Sequence, residues 1–199
     1  SASSCYGDKI VGLNSRTRSL DVFMYDLSTN EEKQITDDIY LQLDPMIYED
    51  KVVWHDERNG NFDIYMYDLS TNEEKQITND ISNQWFPSIY EDKIVWSENS
   101  DIYMCDITLN GQDGGCLFSD EKTQITTDPS RQEVPKIYEN NVIWRDNRNG
   151  NYDIFVYDLS TNEERQITSN PVDPWFPSIY GDKIVWSDYK NGKLDIYVY

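Results

Sequence analysis

Short apolar runs, bounded by charged or turn-forming residues, recur along this chain at near-constant spacing. In 45–78 they are Pro45-Met46-Ile47-Tyr48, Lys51-Val52-Val53-Trp54, 63–69 (DIYMYDL) and 74–78 (EKQIT). β-Branched and aromatic residues fill them and long helix-forming runs are absent, so each is expected to be a strand. Glu49-Asp50 between the first two marks a tight turn. DERNGN at 56–61 carries the Asn-Gly hairpin signal. STNE at 70–73 is a second hairpin, with Asn72 where a left-handed residue is wanted. Val52-Val53-Trp54 and Ile64-Tyr65-Met66-Tyr67 are apolar at consecutive positions. Both faces of these sheets must therefore be covered, because a half-exposed sheet would alternate polar and apolar.

The four-strand unit repeats. DIYMYDLSTNEEKQIT at 63–78 returns as DVFMYDLSTNEEKQIT at 21–36 and DIFVYDLSTNEERQIT at 153–168, with a degenerate copy from 101 and a truncated one, DIYVY, at 195–199. A second block keeps step with it: YGDKIVG at 6–12, YEDKVVW at 48–54, YEDKIVW at 90–96, YENNVIW at 138–144 and YGDKIVW at 180–186. Periods of this length mark solenoids, propellers or arrays. Radial four-stranded antiparallel sheets, each packed between two neighbours, satisfy the two-faced burial. β-Solenoid coils are shorter and lack internal hairpins. The expectation is an all-β fold, a five-bladed β-propeller forming one domain over 1–199. Its repeats fall at about 1–36, 37–78, 79–126, 127–168 and 169–199. The last blade has three strands, because residues 1–4 are too few to complete it; a longer parent array is the alternative.

Composition narrows the setting. The net charge of −20 over 199 residues repels nucleic-acid phosphate and anionic lipid. It suits a soluble protein in a salty or extracellular medium, with cations, basic partners or neutral sugars as its company. No apolar run approaches the roughly 20 residues of a membrane span. No signal peptide is visible and the sequence opens SASSC without Met, as a mature or excised product would. Cys105 and Cys116 flank the one insertion, at 109–122, and are read as a disulfide pinning that loop in an oxidising compartment. Cys5 aligns with Ile47, Ile89, Ile137 and Ile179 and is read as a small buried residue.

The pattern P-S-I-Y-x-D-K-I-V-W, a Gly hairpin, D-I-Y, D-L and Q-I-T resembles the TolB-type propeller repeat, a relative of WD-repeat-like propellers. Residues 90–96 and 63–78 carry that resemblance, which spans nearly the whole chain. The DNRNGNYDIFVYDLSTNEE style is similar to tandem-repeat surface proteins of methanogenic archaea and some bacteria. It implies a cell-surface or secreted protein with an adhesion or scaffold role. No TolB amino-terminal domain precedes the repeats, so the periplasmic partners of TolB are not implied.

Comparing the repeats with one another locates a candidate site. The STNEE hairpins are nearly identical and serve the architecture. The Thr-to-Pro connections hold a spacing of nine residues but change in chemistry: DDIYLQLD at 37–44, NDISNQWF at 79–86, TDPSRQEV at 127–134 and SNPVDPWF at 169–176. The hairpins opening on the same rim vary too, at 55–58, 97–98, 145–148 and 187–190. Binding candidates are Tyr40, His55, Trp85, Phe86, Arg131, Arg145, Trp175, Phe176 and Tyr189. Trp85 and Trp175 can stack on a sugar face or a peptide aromatic, or equally serve as plugs between blades, the commoner role. Asp56, Asp146 and Asp188 could offer hard oxygens to Ca²⁺. More often such an Asp caps its hairpin and pairs with the basic residue two positions on (Arg58, Arg148, Lys190). No other cofactor is implied. His55 is the sole histidine, so zinc clusters are excluded, and it is expected to be solvated on its hairpin. The function expected is a non-catalytic surface module presenting its rim to a protein or glycan. The alternatives are a polysaccharide hydrolase with paired channel carboxylates and a purely structural spacer.

Overall fold

The computed structural model describes residues 3–15, 19–108, 116–117, 121–169, 172–190 and 192–199. It is a five-bladed β-propeller. Blade 1 contains β1 (Ser3–Tyr6), β2 (Lys9–Asn14), β3 (Asp21–Asp26) and β4 (Glu31–Gln34). Blade 2 contains β5 (Gln42–Tyr48), β6 (Lys51–Asp56), β7 (Asp63–Asp68) and β8 (Glu73–Gln76). Blade 3 contains β9 (Gln84–Tyr90), β10 (Lys93–Glu98), β11 (Asp101–Asp106) and β12 (Lys122–Gln124). Blade 4 contains β13 (Gln132–Tyr138), β14 (Asn141–Asp146), β15 (Asp153–Asp158) and β16 (Glu163–Gln166). Blade 5 has three strands, β17 (Pro174–Tyr180), β18 (Lys183–Lys190) and β19 (Lys193–Val198). Within each sheet consecutive strands are antiparallel neighbours.

Blades join face to face. Val11, Val22 and Met24 of blade 1 meet Ile47, Val52, Trp54 and Tyr65 of blade 2. The same faces meet between blades 2 and 3, 3 and 4, and 4 and 5. One tryptophan per junction (Trp54, Trp96, Trp144, Trp186) is buried there. This is why the strands are apolar on both sides. Successive blades pack through their first strands, whereas blades 5 and 1 do not pack on one another in this way among the described residues. Four junctions are packed in this way, and between blades 5 and 1 the described residues leave a seam. Cys5 reports the seam directly. Of its aligned isoleucines, Ile47, Ile89 and Ile137 are buried against a preceding blade and Ile179 partly so, but blade 1 has none against it among the described residues, so Cys5 is exposed and the sequence reading of it as buried is corrected.

A Thr in all four connections, with a Gln six residues later in three of them and Pro174 in the fourth, underlies the constant nine-residue spacing. Thr36, Thr78, Thr126 and Thr168 accept the backbone N–H of Val22, Ile64, Ile102 and Ile154 at 2.8–2.9 Å. Three of these hydroxyls then donate to Gln42, Gln84 and Gln132. These buried clamps fix both ends of the first three loops and leave their middles free to vary; in the fourth, Thr168 donates instead to Asp153. Strands β5, β9, β13 and β17 start earlier than the apolar runs suggest, because a bulge before each conserved Pro lets pairing continue beyond it. Asn72 and its counterparts Asn30 and Asn162 take positive φ as expected.

Candidate functional site

The two sets of variable positions meet as cross-strand pairs. Leu43 lies opposite His55, Trp85 opposite Ser97, Glu133 opposite Arg145, and Trp175 opposite Ser187. All sit on the rim where first strands begin and second strands end. The next residue in each loop, Asp44, Phe86, Val134 or Phe176, has φ of 50–56°. For Phe and β-branched Val this left-handed backbone is strained. The bulge that imposes it re-aims the side chain relative to the sheet.

Two clusters form on this rim. At the junction of blades 2 and 3, Trp85 packs on Phe62 (4.4 Å between centroids) and edge-on to His55 (5.2 Å). Phe62 also caps the His55 ring, at 5.0 Å. His55 is thereby buried, and the expectation that it is solvated is corrected. It belongs to strand β6 rather than to the hairpin, and two aromatics cover it. Its ring nitrogens have no hydrogen-bond partner; the Asp44 carboxylate is 3.9 Å from Nδ1. Burial pushes its pKa down to about 4, against the opposing pull of Asp56, so the imidazole is neutral at pH 7. Trp85 and Phe86 are half-buried, as filling between blades requires.

At the junction of blades 4 and 5 the same places are more open. The Arg145 guanidinium is sandwiched between Tyr152 (4.1 Å) and Trp175 (4.4 Å). Its Nη1 donates to Glu133 at 2.9 Å, while the buried Nε and Nη2 have no partner. Arg131 reaches the same Glu133 from outside, at 2.8 Å. Trp175 is 45% exposed and Phe176 78% exposed, with centroids 6.4 Å apart. Tyr40 and Tyr189 are exposed and make no ring contact with either cluster among the described residues.

Phe62, Tyr152 and Glu133 complete these clusters and were not picked out from sequence. The signal for two of them is an aromatic directly after NGN in the hairpin, at 62 and 152. Each aromatic is locked to the next blade: Phe62 N–H donates to Asn83, and Tyr152 N–H donates to Asp173.

The recurrent acidic positions are heavily engaged. Asp56 accepts Trp54 Nε1 (3.0 Å), Arg58 N (2.9 Å) and Arg58 Nη2 (2.6 Å), and Asp146 repeats all three with Trp144 and Arg148. In blade 3 the shortened hairpin brings no arginine. Glu98 accepts Trp96 Nε1, and Lys122 supplies the cation at 2.8 Å. Lys122 lies opposite Cys105, the place that Glu74 and Glu164 hold elsewhere, so the charges have swapped. These carboxylates bind tryptophan and cations of their own blade. Asp188 is buried and keeps one oxygen unpartnered; the Lys190 side chain lies outside the described residues. No cluster of three metal-ligating side chains occurs among the described residues.

First strands from all five blades enclose a cavity of about 630 Å³, with Tyr6, Tyr48, Tyr90, Tyr138 and Tyr180 on its wall. These rings form a ladder with centroids 4.7–5.0 Å apart. Among the described residues the one charged lining residue is Lys136, whose ammonium lies 3.7 Å from Met46 Sδ; burial pushes its pKa down against the pull of Asp44. A disulfide joins Cys105 and Cys116, and Cys116 N–H donates to Ile77 O of blade 2 at 2.8 Å.

No family model matches the chain, and no curated protein matches it. Solved structures do. A TolB-type protein from Agrobacterium tumefaciens aligns with TM-score 0.71 at 17% identity, over 99% of this chain and 74% of that one. TolB from Acinetobacter baumannii aligns with TM-score 0.68 at 19% identity, over 99% of this chain and 53% of that one. An oligogalacturonate lyase in complex with manganese gives 0.69 at 14% identity, over 96% and 58%. This chain thus spans about half of the Acinetobacter protein, and at such identities the likeness is one of architecture: a TolB-like β-propeller fold.

Proposed function

We propose that this chain is a non-catalytic interaction module, extracellular or at a cell surface, and that it holds a protein or glycan ligand at the junction of blades 4 and 5. The observation that carries this is Arg145: a buried guanidinium with two unpaired N–H-bearing nitrogens, clamped between Tyr152 and the half-exposed Trp175. Buried donors of this kind are costly without an acceptor. A ligand hydroxyl, carbonyl or carboxylate would satisfy them while its apolar face stacks on Trp175 and Phe176. The disulfide and the net charge of −20 support an oxidising, extracellular setting. The alternative of a polysaccharide hydrolase needs paired carboxylates in the axial cavity; none is among its described lining residues, and the carboxylate that acts on its Lys136 is the single Asp44.

The test is a glycan array together with a display library of extracellular proteins, probed with the 199-residue chain and with Trp175→Ala and Phe176→Ala. Both side chains are exposed enough to be removed without unfolding. A ligand whose binding falls at least tenfold in both variants supports the proposal. Ligands bound equally well by both variants would place the site elsewhere.

A further inference from the structure

Arg58, Arg145 and Arg148 differ in how much negative charge they meet. Arg58 meets Asp38, Asp56 and Glu74, at 3.5, 2.6 and 2.5 Å. Arg148 meets Asp128, Asp146 and Glu164, at 3.9, 2.6 and 2.6 Å. Arg145 is the most buried of the three, yet it pairs with one carboxylate, Glu133, and shares it with Arg131. The nearby Asp173 carboxylate accepts Tyr152 N–H. Burial opposes the charge of Arg58 and is outweighed by Asp56 and Glu74; Asp146 and Glu164 outweigh it at Arg148. At Arg145 burial prevails over the pull of Glu133 and holds the pKa below its ordinary value.

The free nitrogens define the shape of the missing acceptor. Nη1 donates to Glu133 at 2.9 Å. Nε and Nη2 are buried without a partner among the described residues, and their N–H bonds run side by side along one edge of the guanidinium, in its plane. That edge is a fork that takes both oxygens of a carboxylate at once. Tyr152 and Trp175 cover the two faces, their ring centres 4.1 and 4.4 Å from Cζ. A group that meets the free edge therefore enters a slot between two aromatic rings, and its body must be flat with C–H bonds on both sides. A pyranose carrying an equatorial carboxylate has this form: the carboxylate projects in the mean plane of the ring and the axial C–H bonds face the walls. An acidic peptide side chain offers the carboxylate without the flat body behind it. Entry requires the Trp175 indole to turn outward, which its 45% exposure permits.

We propose that the recess between blades 4 and 5 is a uronate site: the carboxylate of an acidic glycan pairs with Nε and Nη2 of Arg145, and the sugar ring behind it stacks on Trp175 and Tyr152. This rests on the reading of the recess as the ligand site and narrows the ligand to an acidic sugar. The net charge of −20 does not forbid it, because exposed charges beyond about 8 Å are largely screened at physiological salt. Within the recess two guanidiniums share Glu133.

The experiment is calorimetric titration of the 199-residue chain, at physiological salt with a chelator present, by tetrasaccharides of glucuronate, mannuronate and galacturonate. Each is paired with its carboxyl-reduced, neutral form. Saturable binding of at least one uronate is expected, at least tenfold tighter than its neutral form. Arg145→Lys keeps the charge but loses the fork, and should weaken the uronate at least tenfold. Arg145→Ser, the residue that blades 3 and 5 hold at this place as Ser97 and Ser187, should abolish binding with the circular dichroism spectrum retained. Glu133→Gln removes the rival carboxylate and should tighten the uronate while leaving the neutral sugar unchanged, a selectivity that a structural arginine would not produce. If the arginine variants misfold, the charged and neutral sugars on the unaltered chain decide the matter. Equal binding of the two forms would overturn the proposal, as would uronate binding that a folded Arg145→Lys leaves intact. An acidic peptide that binds through Arg145 while no uronate does would also overturn it. In each of these cases a ligand lost on Trp175→Ala keeps the recess as a binding site. If no uronate binds and no glycan or protein depends on Trp175, the reading of the recess falls as well.

Discussion

His55 makes the stability of this propeller depend on acid in a way its neighbours do not. In the native state the ring is covered by Phe62 and Trp85 and titrates near 4. In the unfolded chain it titrates near 6.5. Between these values the unfolded chain binds a proton that the native chain refuses, so stability is complete above pH 6.5 and falls as pH drops toward 4. The gap corresponds to a loss of about 2 kcal/mol by pH 5 and about 3 kcal/mol by pH 4. The perturbation that isolates this is His55→Ser, since Ser97 and Ser187 hold the equivalent place in blades 3 and 5. The carboxylates titrate in both proteins and cancel in the difference. Urea unfolding followed by tryptophan fluorescence, at intervals from pH 7.5 to 4, gives the two curves. The serine variant should be the less stable at pH 7.5, because a covered ring is lost, and the two should converge as pH falls. Curves that stay parallel from pH 7 to 4 would show that His55 is protonated in the folded state, and the burial argument would be wrong.

Removing the disulfide by Cys105→Ser with Cys116→Ser releases a loop of about 11 residues and should cost about 3 kcal/mol; a change below about 0.5 kcal/mol on urea unfolding would show that loop closure contributes little. Trp54→Ala, at a fully buried junction, should cost about 3–5 kcal/mol, whereas Trp175→Ala should cost under about 1 kcal/mol; equal losses would contradict the assignment of one to core and the other to rim. Lys122→Met leaves buried Glu98 without its cation and should cost about 3 kcal/mol, recovered in part by Glu98→Gln in the same chain; the absence of any recovery would show that the two residues are not coupled.

What the sequence conveyed well was whatever each repeat states again. Strand order, the Asn-Gly and Ser-Thr-Asn hairpins and two-faced burial are each written several times over in near-duplicate segments. Context that differs between copies was illegible for the same reason. Cys5 and Ile47 hold the same place in their repeats, but only Ile47 has a blade against it. His55 and Arg145 were taken for hairpin residues because the NGN signal follows closely, yet the bulge before Pro45 and Pro135 extends pairing far enough to place both inside strands. Phe62 and Tyr152 were missed because their partners are supplied by the following blade, across a distance that no local pattern encodes.

The rim also explains how identical blades came to offer different chemistry without losing the fold. Each recess is built at a junction: Phe62 of one blade meets Trp85 of the next, and Tyr152 and Trp175 hold Arg145 between them. The backbone contact that registers the two is independent of those side chains. Gln84 N–H donates to Phe62 O, and Gln132 N–H donates to Ser100 O, both at 2.8 Å. The second case holds although the blade 3 hairpin is shortened and has no aromatic, so the clamp survives when the recess chemistry is replaced. A substitution at 85 or 133 therefore alters what the rim can hold while the Thr–Gln clamps keep the loop in place; at 175 the loop has Pro174 in the Gln place and is held by the Asp173 carboxylate accepting Tyr152 N–H. The strain stored at φ near 55° in Phe86 and Val134 is carried by that same clamp and ladder, and in Phe176 by the ladder. It keeps these side chains on the rim whatever their identity.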